Sequence, residues 1–263
     1  MKKIKIGIIG GTGGIGRWFA QYFQKEGLEV WVSGRRSGPD LPTMARECPV
    51  VIVSVPIAAT LSVIEQIGPL MPEEALLTDF TSLKAEPVRA MLRASSCEVI
   101  GLHPLFGPEA KTLAGHNVVV CPARSRKWLP FVLDLFRKGR ARIIETTPEK
   151  HDEWMAQVQV LNHLNTIAMG LALKRSGFQL AELLPVATPA FEAKVEWMKK
   201  IFGPNAGLYA QIITHNPFVE DVFENYQESL RELKKWIRRR DDEGLRKRIE
   251  QAGLFPAVRM KEE

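Results

Sequence analysis

The stretch Gly101-Leu102-His103-Pro104-Leu105-Phe106-Gly107-Pro108 holds the side chain best placed to do chemistry. The apolar residues Val99, Ile100 and Leu102 lead into His103. Pro104 pushes the residue before it toward extended backbone, so His103 is expected at or just past the end of a strand. Ligands of open α/β sheets bind at the carboxyl ends of strands. An imidazole there, with an unperturbed pKa of about 6.5, can trade a proton near neutral pH; a satisfied structural histidine is the alternative. Thr81, Ser82 and Lys84 follow another short strand expected over 76–79, and could face His103 across the crevice. The Ser82 hydroxyl suits either of two tasks: bonding the imidazole to fix its tautomer, or capping the helix that follows.

A proton acceptor of this kind is useful beside a redox cofactor, and the N-terminal residues read as a site for one. Ile4, Ile6, Ile8 and Ile9 form a strand pattern, and a helical pattern carries Trp18, Phe19, Tyr22 and Phe23 on one side. Between them lie Gly11, Thr12, Gly13, Gly14, Ile15 and Gly16, which satisfy G-x-G-x-x-G between a strand and a helix. That context fits a pyrophosphate seated on a helix N-terminus. The next strand, Glu29 to Ser33, runs into Gly34-Arg35-Arg36-Ser37 with no acid before Asp40. An NAD site usually places a carboxylate there for the ribose, whereas a 2′-phosphate calls for arginine. Ser33, Arg35 and Arg36 therefore point to NADP as the preferred cofactor, with NAD possible; solvated loop charges are the plainer alternative. Val50 to Val55 is a nearly continuous apolar strand, as expected when helices cover both faces. The corner Ser54-Val55-Pro56 at its end would border the cofactor ribose.

A strand ending at His103 is also expected, as are strands over 117–121 and 141–145, with helices near 58–67, to about Arg93, and 127–137. From Pro148 onward helical periodicity replaces strands, over 148–174, 190–201, 207–214 and 218–240, punctuated by Pro185, Pro189, Pro204 and Pro217. The fold class is thus a Rossmann-type α/β dinucleotide-binding domain, 1–147, followed by an all-α domain, 148–263. In that half, His151-Asp152 reads as a helix-start feature rather than a catalytic pair, because adjacent helical residues do not face each other. His163 interrupts an apolar stripe and fits either a buried hydrogen-bonded histidine or a ligand contact. His116 and His215 read as structural. Such dispersed histidines make no metal site.

Composition narrows the function classes. A chain of 263 residues is long enough for two domains. Its formal net charge of +6 is spread along the sequence, which argues against nucleic acid. The run from Lys234 to Arg240 reads as a solvated helix end. Three cysteines without CxxC spacing argue against disulfides and zinc, and suit a reducing cytoplasm. Met1-Lys2-Lys3 leads directly into the first strand with no signal-peptide pattern, and no apolar run reaches membrane-span length.

These stretches together carry a resemblance. GGTGGIGRWF (10–19), DFTSLK (79–84), GLHPLFGP (101–108), HDEWMAQVQVLNHL (151–164) and LLPVATPAFEAKVEWMKKIFGPNAGLYAQII (183–213) make the chain similar to the prephenate dehydrogenase family of tyrosine biosynthesis, in its monofunctional form. The resemblance implies oxidative decarboxylation of prephenate to 4-hydroxyphenylpyruvate and CO2, with hydride passed to NAD(P)+. It implies that His103 draws the proton from the ring hydroxyl, that Ser82 orients this histidine, and that His163 lies in the substrate pocket. Where the family commonly clamps a substrate carboxylate with arginine, this chain has Lys200 at the best-matched place and Glu192 where another arginine can occur. Lysine supplies charge without the bidentate fork, which leaves arogenate, the amino analogue, open as the substrate. A non-catalytic NADP-sensing protein is the reading from another class. The apolar stripe of Ile201, Phe202, Leu208, Ile212 and Ile213, together with the resemblance, points to a homodimer through the helical domain.

Overall fold

The computed structural model describes residues 4–253. Met1 to Lys3, expected to lead into the first strand, and residues 254–263, the end of the expected helical domain, lie outside the described residues. The chain forms two compact units, divided between Val219 and Glu220.

In the first unit, strands alternate with helices in the order β1 (Lys5–Ile9), α1 (Gly14–Lys25), β2 (Glu29–Ser33), α2 (Leu41–Glu47), β3 (Val50–Val53), α3 (Ile57–Ile67), β4 (Leu76–Asp79), α4 (Ala85–Ala94), β5 (Glu98–Pro104), β6 (Asn117–Arg124), α5 (Trp128–Lys138) and β7 (Arg142–Glu145). The seven strands form one sheet in the order β2-β1-β3-β4-β5-β6-β7. All neighbours are parallel except β5 and β6. The order reverses at β1, so the crevice for a ligand opens beside the loop that follows it. Ile9, Val53, Asp79 and Gly101 are successive partners across four strands. The glycine loop, the 54–56 corner, the 80–84 turn and His103 therefore all leave the sheet at the same end.

The side-chain period of two divides the strands between two cores. Ile6, Ile8, Ile52, Ile100 and Leu102 pack with Phe19, Phe23 and Phe136 of α1 and α5. Ile9, Val51, Val53, Leu77 and Val99 pack with Met44, Ile64, Ile67 and Met91 of α2 to α4. Two covered faces explain why these strands read as unbroken apolar runs.

After β7 the described chain is helical. It continues through α6 (Pro148–Met155), a π-helical turn (Ala156–Leu161), α7 (Asn162–Ser176), the short α8 (Leu180–Leu183), α9 (Pro189–Ile201) and α10 (Ala206–Thr214). The long helix expected from Pro148 is thus broken by the wide turn at 156–161. Three short or flanking helices, α2, α8 and α12 (Asp242–Gln251), are not evident from periodicity. Ile201, Ile212 and Ile213 are buried inside the unit, while Phe202 is 51% and Leu208 45% exposed. The apolar surplus expected on that stripe instead extends over Phe178, Leu180, Leu184 and Val186, all exposed.

The second unit holds most of α11 (Val219–Arg239) and α12. Asp241 caps α12 by accepting from Gly244 N at 2.8 Å, and Arg248 Nε lies 2.7 Å from Glu232 Oε1. Arg238 and Arg239 fall in the last turn of α11, where cations favour the helix dipole.

Candidate active site

His103 is the penultimate residue of β5 and is 3% exposed. Its Nδ1 lies 2.8 Å from Nε2 of His151, and Nδ1 of His151 lies 2.7 Å from Oδ1 of Asp152. The expectation that His151-Asp152 is only a helix-start feature is therefore corrected. The two side chains do not stack face to face; the carboxylate reaches one ring nitrogen while the ring itself turns toward β5.

The direction of the hydrogen bonds follows from Asp152. Its Oδ1 also accepts from Lys84 N at 2.8 Å and its Oδ2 from Ala85 N at 2.9 Å. Such a carboxylate is an acceptor only, so His151 Nδ1 must carry a proton. Neutral His151 then offers the lone pair of Nε2, and His103 Nδ1–H donates to it. Nε2 of His103 is left as an acceptor. Burial, and then the neighbouring His151 and Lys84, hold the His103 pKa well below the ordinary histidine value. Burial also lowers that of His151, against the opposing pull of Asp152. The His103 ring is thus neutral near pH 7, in a single tautomer.

Asp152 performs a second task. Its two bonds to the backbone of Lys84 and Ala85 cap α4 from another helix, and Asn216 Nδ2 holds its own carbonyl at 3.0 Å. This corrects both expectations for Ser82. The cap of α4 comes from Asp152, and the bond that orients His103 comes from His151. Ser82 is half-buried, and among the described residues its hydroxyl makes no hydrogen bond. Lys84 does not face the crevice freely either. It is fully buried, ion-paired with Asp79 and 3.2 Å from Thr81 Oγ1.

On the cofactor side, Gly10 adopts φ +83°, and a Cβ there would lie 2.2 Å from the Ser54 carbonyl oxygen. The corner Ser54-Val55-Pro56 therefore packs directly on the glycine loop. A Cβ on Gly14 would meet Pro108 at 3.1 Å, and Trp18 Nε1 donates to Ala110 O at 2.6 Å. The loop that leaves His103 is thereby fastened to α1. Thr12, Gly13 and Gly14 are exposed, and the N-cap of α1 has no side-chain partner. A Cβ on Gly13 would meet only Gly10 O, at 3.3 Å. These features suit a pyrophosphate on the helix N-terminus. Ser33 is buried and donates to Pro39 O at 2.7 Å, so its hydroxyl is turned inward. Gly34 N donates to Ser37 O at 2.8 Å, which closes a tight turn with Arg35, Arg36 and Ser37 exposed on it.

In the helical segment His163 is 5% exposed and its ring centroid is 4.9 Å from that of Tyr209. Its Nδ1 is buried without a partner, so it is not the satisfied core histidine considered above. Gln159 Oε1 and Trp197 Nε1 are likewise buried and unpartnered. Gln159 precedes His163 by four residues and sits in the π turn, a rare feature frequent at functional sites. Lys200 is half-exposed; it lies 3.2 Å from Glu109 Oε1 and 5.4 Å from the centroid of Trp197. It thus reaches from α9 to the loop beyond His103. Glu192 lies exposed in the first turn of α9. Among the described residues no group of three or more His, Cys, Asp or Glu could hold a metal ion.

The nucleotide-binding domain of prephenate dehydrogenase matches residues 19–145, and the prephenate dehydrogenase dimerization domain matches residues 147–251. The chain belongs to the prephenate dehydrogenase family. A probable arogenate/prephenate dehydrogenase of Methanocaldococcus jannaschii is 33% identical, over 95% of this chain and 60% of that protein. The T-protein of Haemophilus influenzae is 34% identical, over 86% of this chain and 61% of that protein. The chain thus spans about three fifths of the length of these curated relatives. The arogenate dehydrogenase of Synechocystis shares the fold, with a TM-score of 0.73 at 20% identity, covering 94% of this chain and 96% of that one. So does the prephenate dehydrogenase of A. aeolicus solved with hydroxyphenyl propionate and NAD+, with a TM-score of 0.73 at 19% identity, covering 96% of each.

Proposed function

We propose that this member of the prephenate dehydrogenase family converts prephenate to 4-hydroxyphenylpyruvate and CO2, with NADP+ preferred over NAD+. The series Asp152–His151–His103 carries the reading, because it ends in a neutral imidazole nitrogen able to accept a proton at a strand end. When bound, the nicotinamide supplies the hydride acceptor. His103 Nε2 takes the proton of the ring hydroxyl as that carbon becomes a carbonyl. The positive charge this places on the imidazole is offset by Asp152 through His151. Loss of the ring carboxylate as CO2 makes the ring aromatic, and His103 returns its proton to the phenol oxygen. General-base assistance of this kind is worth about 10²–10⁴-fold.

Ser82, with its uncommitted hydroxyl, joins His103, His163 and Lys200 in the substrate site. The unpartnered atoms of His163, Gln159 and Trp197 support a polar pocket there, since an orphaned buried group costs about 1–3 kcal/mol until a ligand pairs it. Gly11 to Gly16 and Ser54 to Pro56 take the dinucleotide, and the exposed Arg35 and Arg36 take the 2′-phosphate. Arogenate is the second reading, favoured by Lys200 standing where the family commonly places an arginine and by Glu192 where another can occur.

The two family matches adjoin at 145 and 147, which supports a domain boundary at 147/148. The dimerization-domain match and the exposed Phe178, Leu180 and Val186 support a homodimer. No described helix is long and apolar enough to cross a membrane; we assign the protein to the cytoplasm on its three free cysteines.

Assays of prephenate and arogenate, each with NAD+ and NADP+, test the reading. Highest kcat/KM is expected for prephenate with NADP+. Turnover of neither substrate would favour the NADP-sensing role.

A further inference from the structure

Arg17 is the fourth residue of α1, and its Nη2 donates to the main-chain oxygen of Thr12 at 2.6 Å. The side chain is exposed, and among the described residues it makes no ion pair. Helix α1 has no acidic residue in its first turn and no side-chain cap at Gly13. A cation near the N-terminus of a helix opposes the helix dipole. The described residues nevertheless fix a guanidinium there and provide no anion paired with it. An external anion would reverse the sign of that interaction.

We propose that Arg17 is a clamp for the diphosphate of a dinucleotide, acting with the N–H groups at the start of α1. The proposal rests on the dinucleotide reading above. Arginine carries five donors; the bond to Thr12 orients the guanidinium, and the remaining donors can pair with phosphate oxygens. Thr12 also packs against the turn that follows β2. Its Oγ1 lies 2.6 Å from where a Cβ on Gly34 would stand, at the base of the turn that exposes Arg35 and Arg36. Thr12 thus meets Arg17 on one side and, on the other, the base of the turn that carries Arg35 and Arg36. Arg17 serves the diphosphate common to NAD+ and NADP+, and Arg35 with Arg36 serves the phosphate found only in NADP+.

Calorimetric titration of the full chain with ADP-ribose, which has the diphosphate, and with adenosine 2′-monophosphate, which has only the 2′-phosphate, separates these tasks. Arg17→Gln is expected to weaken ADP-ribose binding about 10- to 100-fold, the range of a charged hydrogen bond, and to leave adenosine 2′-monophosphate unchanged. Arg17→Lys should fall between, since it keeps charge without the fork. Thermal melts of the unliganded variants control for folding. Wild-type ADP-ribose affinity in a folded Arg17→Gln variant would overturn the clamp, as would an equal loss for both ligands. Failure of the wild type to bind either ligand would instead remove the dinucleotide reading itself.

Discussion

His151 Nε2 lies 2.8 Å from His103 Nδ1, and this one contact joins the helical half of the first unit to the end of β5. It fixes which nitrogen of His103 is free to take a proton. Replacing His151 by Asn removes the acceptor that specifies the tautomer. The expected result is a fall in kcat of about 10²-fold or more, with KM for the substrate changed far less. Steady-state kinetics on the folded variant checks it, and a parallel rise in KM at constant kcat would place His151 in binding instead.

Asp152 has a structural load that His151 does not. Its carboxylate caps α4 through Lys84 N and Ala85 N while it holds the His151 ring. Asp152→Ala should lower stability by about 1–3 kcal/mol, combining a lost cap with buried N–H groups left unpaired. Urea unfolding of the variant beside His151→Asn measures the difference. Equal stability of Asp152→Ala and wild type would contradict the capping role.

The sequence shows the two residues but hides their partnership. His151, Asp152, Met155 and Ala156 are buried together, while Glu153, Trp154, Gln157 and Val158 are exposed. The pairs at 151–152 and 155–156 mark a buried stripe containing two polar residues. Trp154 and Val158 obscure it, because apolar residues occupy the outward face. The π turn is equally silent, since one wide turn leaves composition unaltered. Strand ends, by contrast, are legible: β3 and β5 are apolar runs closed by Pro56 and Pro104, so the glycine loop and His103 could be placed at one end of the sheet. The antiparallel direction of β6 is not legible, because an apolar run such as 118–121 carries no strand direction.

The acidic side of the stability profile should report the buried histidines. His103, His151 and His163 all have pKa values lowered in the fold. Near pH 6.5 the unfolded chain therefore takes up protons that the folded chain refuses. Stability is fully present above the unfolded value and declines as pH falls below it. Each histidine contributes at most about 1.4 kcal/mol per pH unit. Thermal melts between pH 7.5 and 5 should show this decline, reduced in His163→Asn; a flat profile would contradict neutral burial.

Arg35 and Arg36 test the cofactor preference separately. Replacing both by Ala should raise KM for NADP+ by about tenfold or more, the loss expected of one charge-assisted hydrogen bond, and leave KM for NAD+ nearly constant. Equal changes for both dinucleotides would remove the 2′-phosphate role of the turn.

The most direct test is His103→Asn, assayed with prephenate and NADP+ alongside direct measurement of NADP+ binding. The expected result is a kcat lower by about 10²–10⁴-fold with NADP+ affinity held. Turnover at the wild-type rate in that variant would contradict His103 as the proton acceptor.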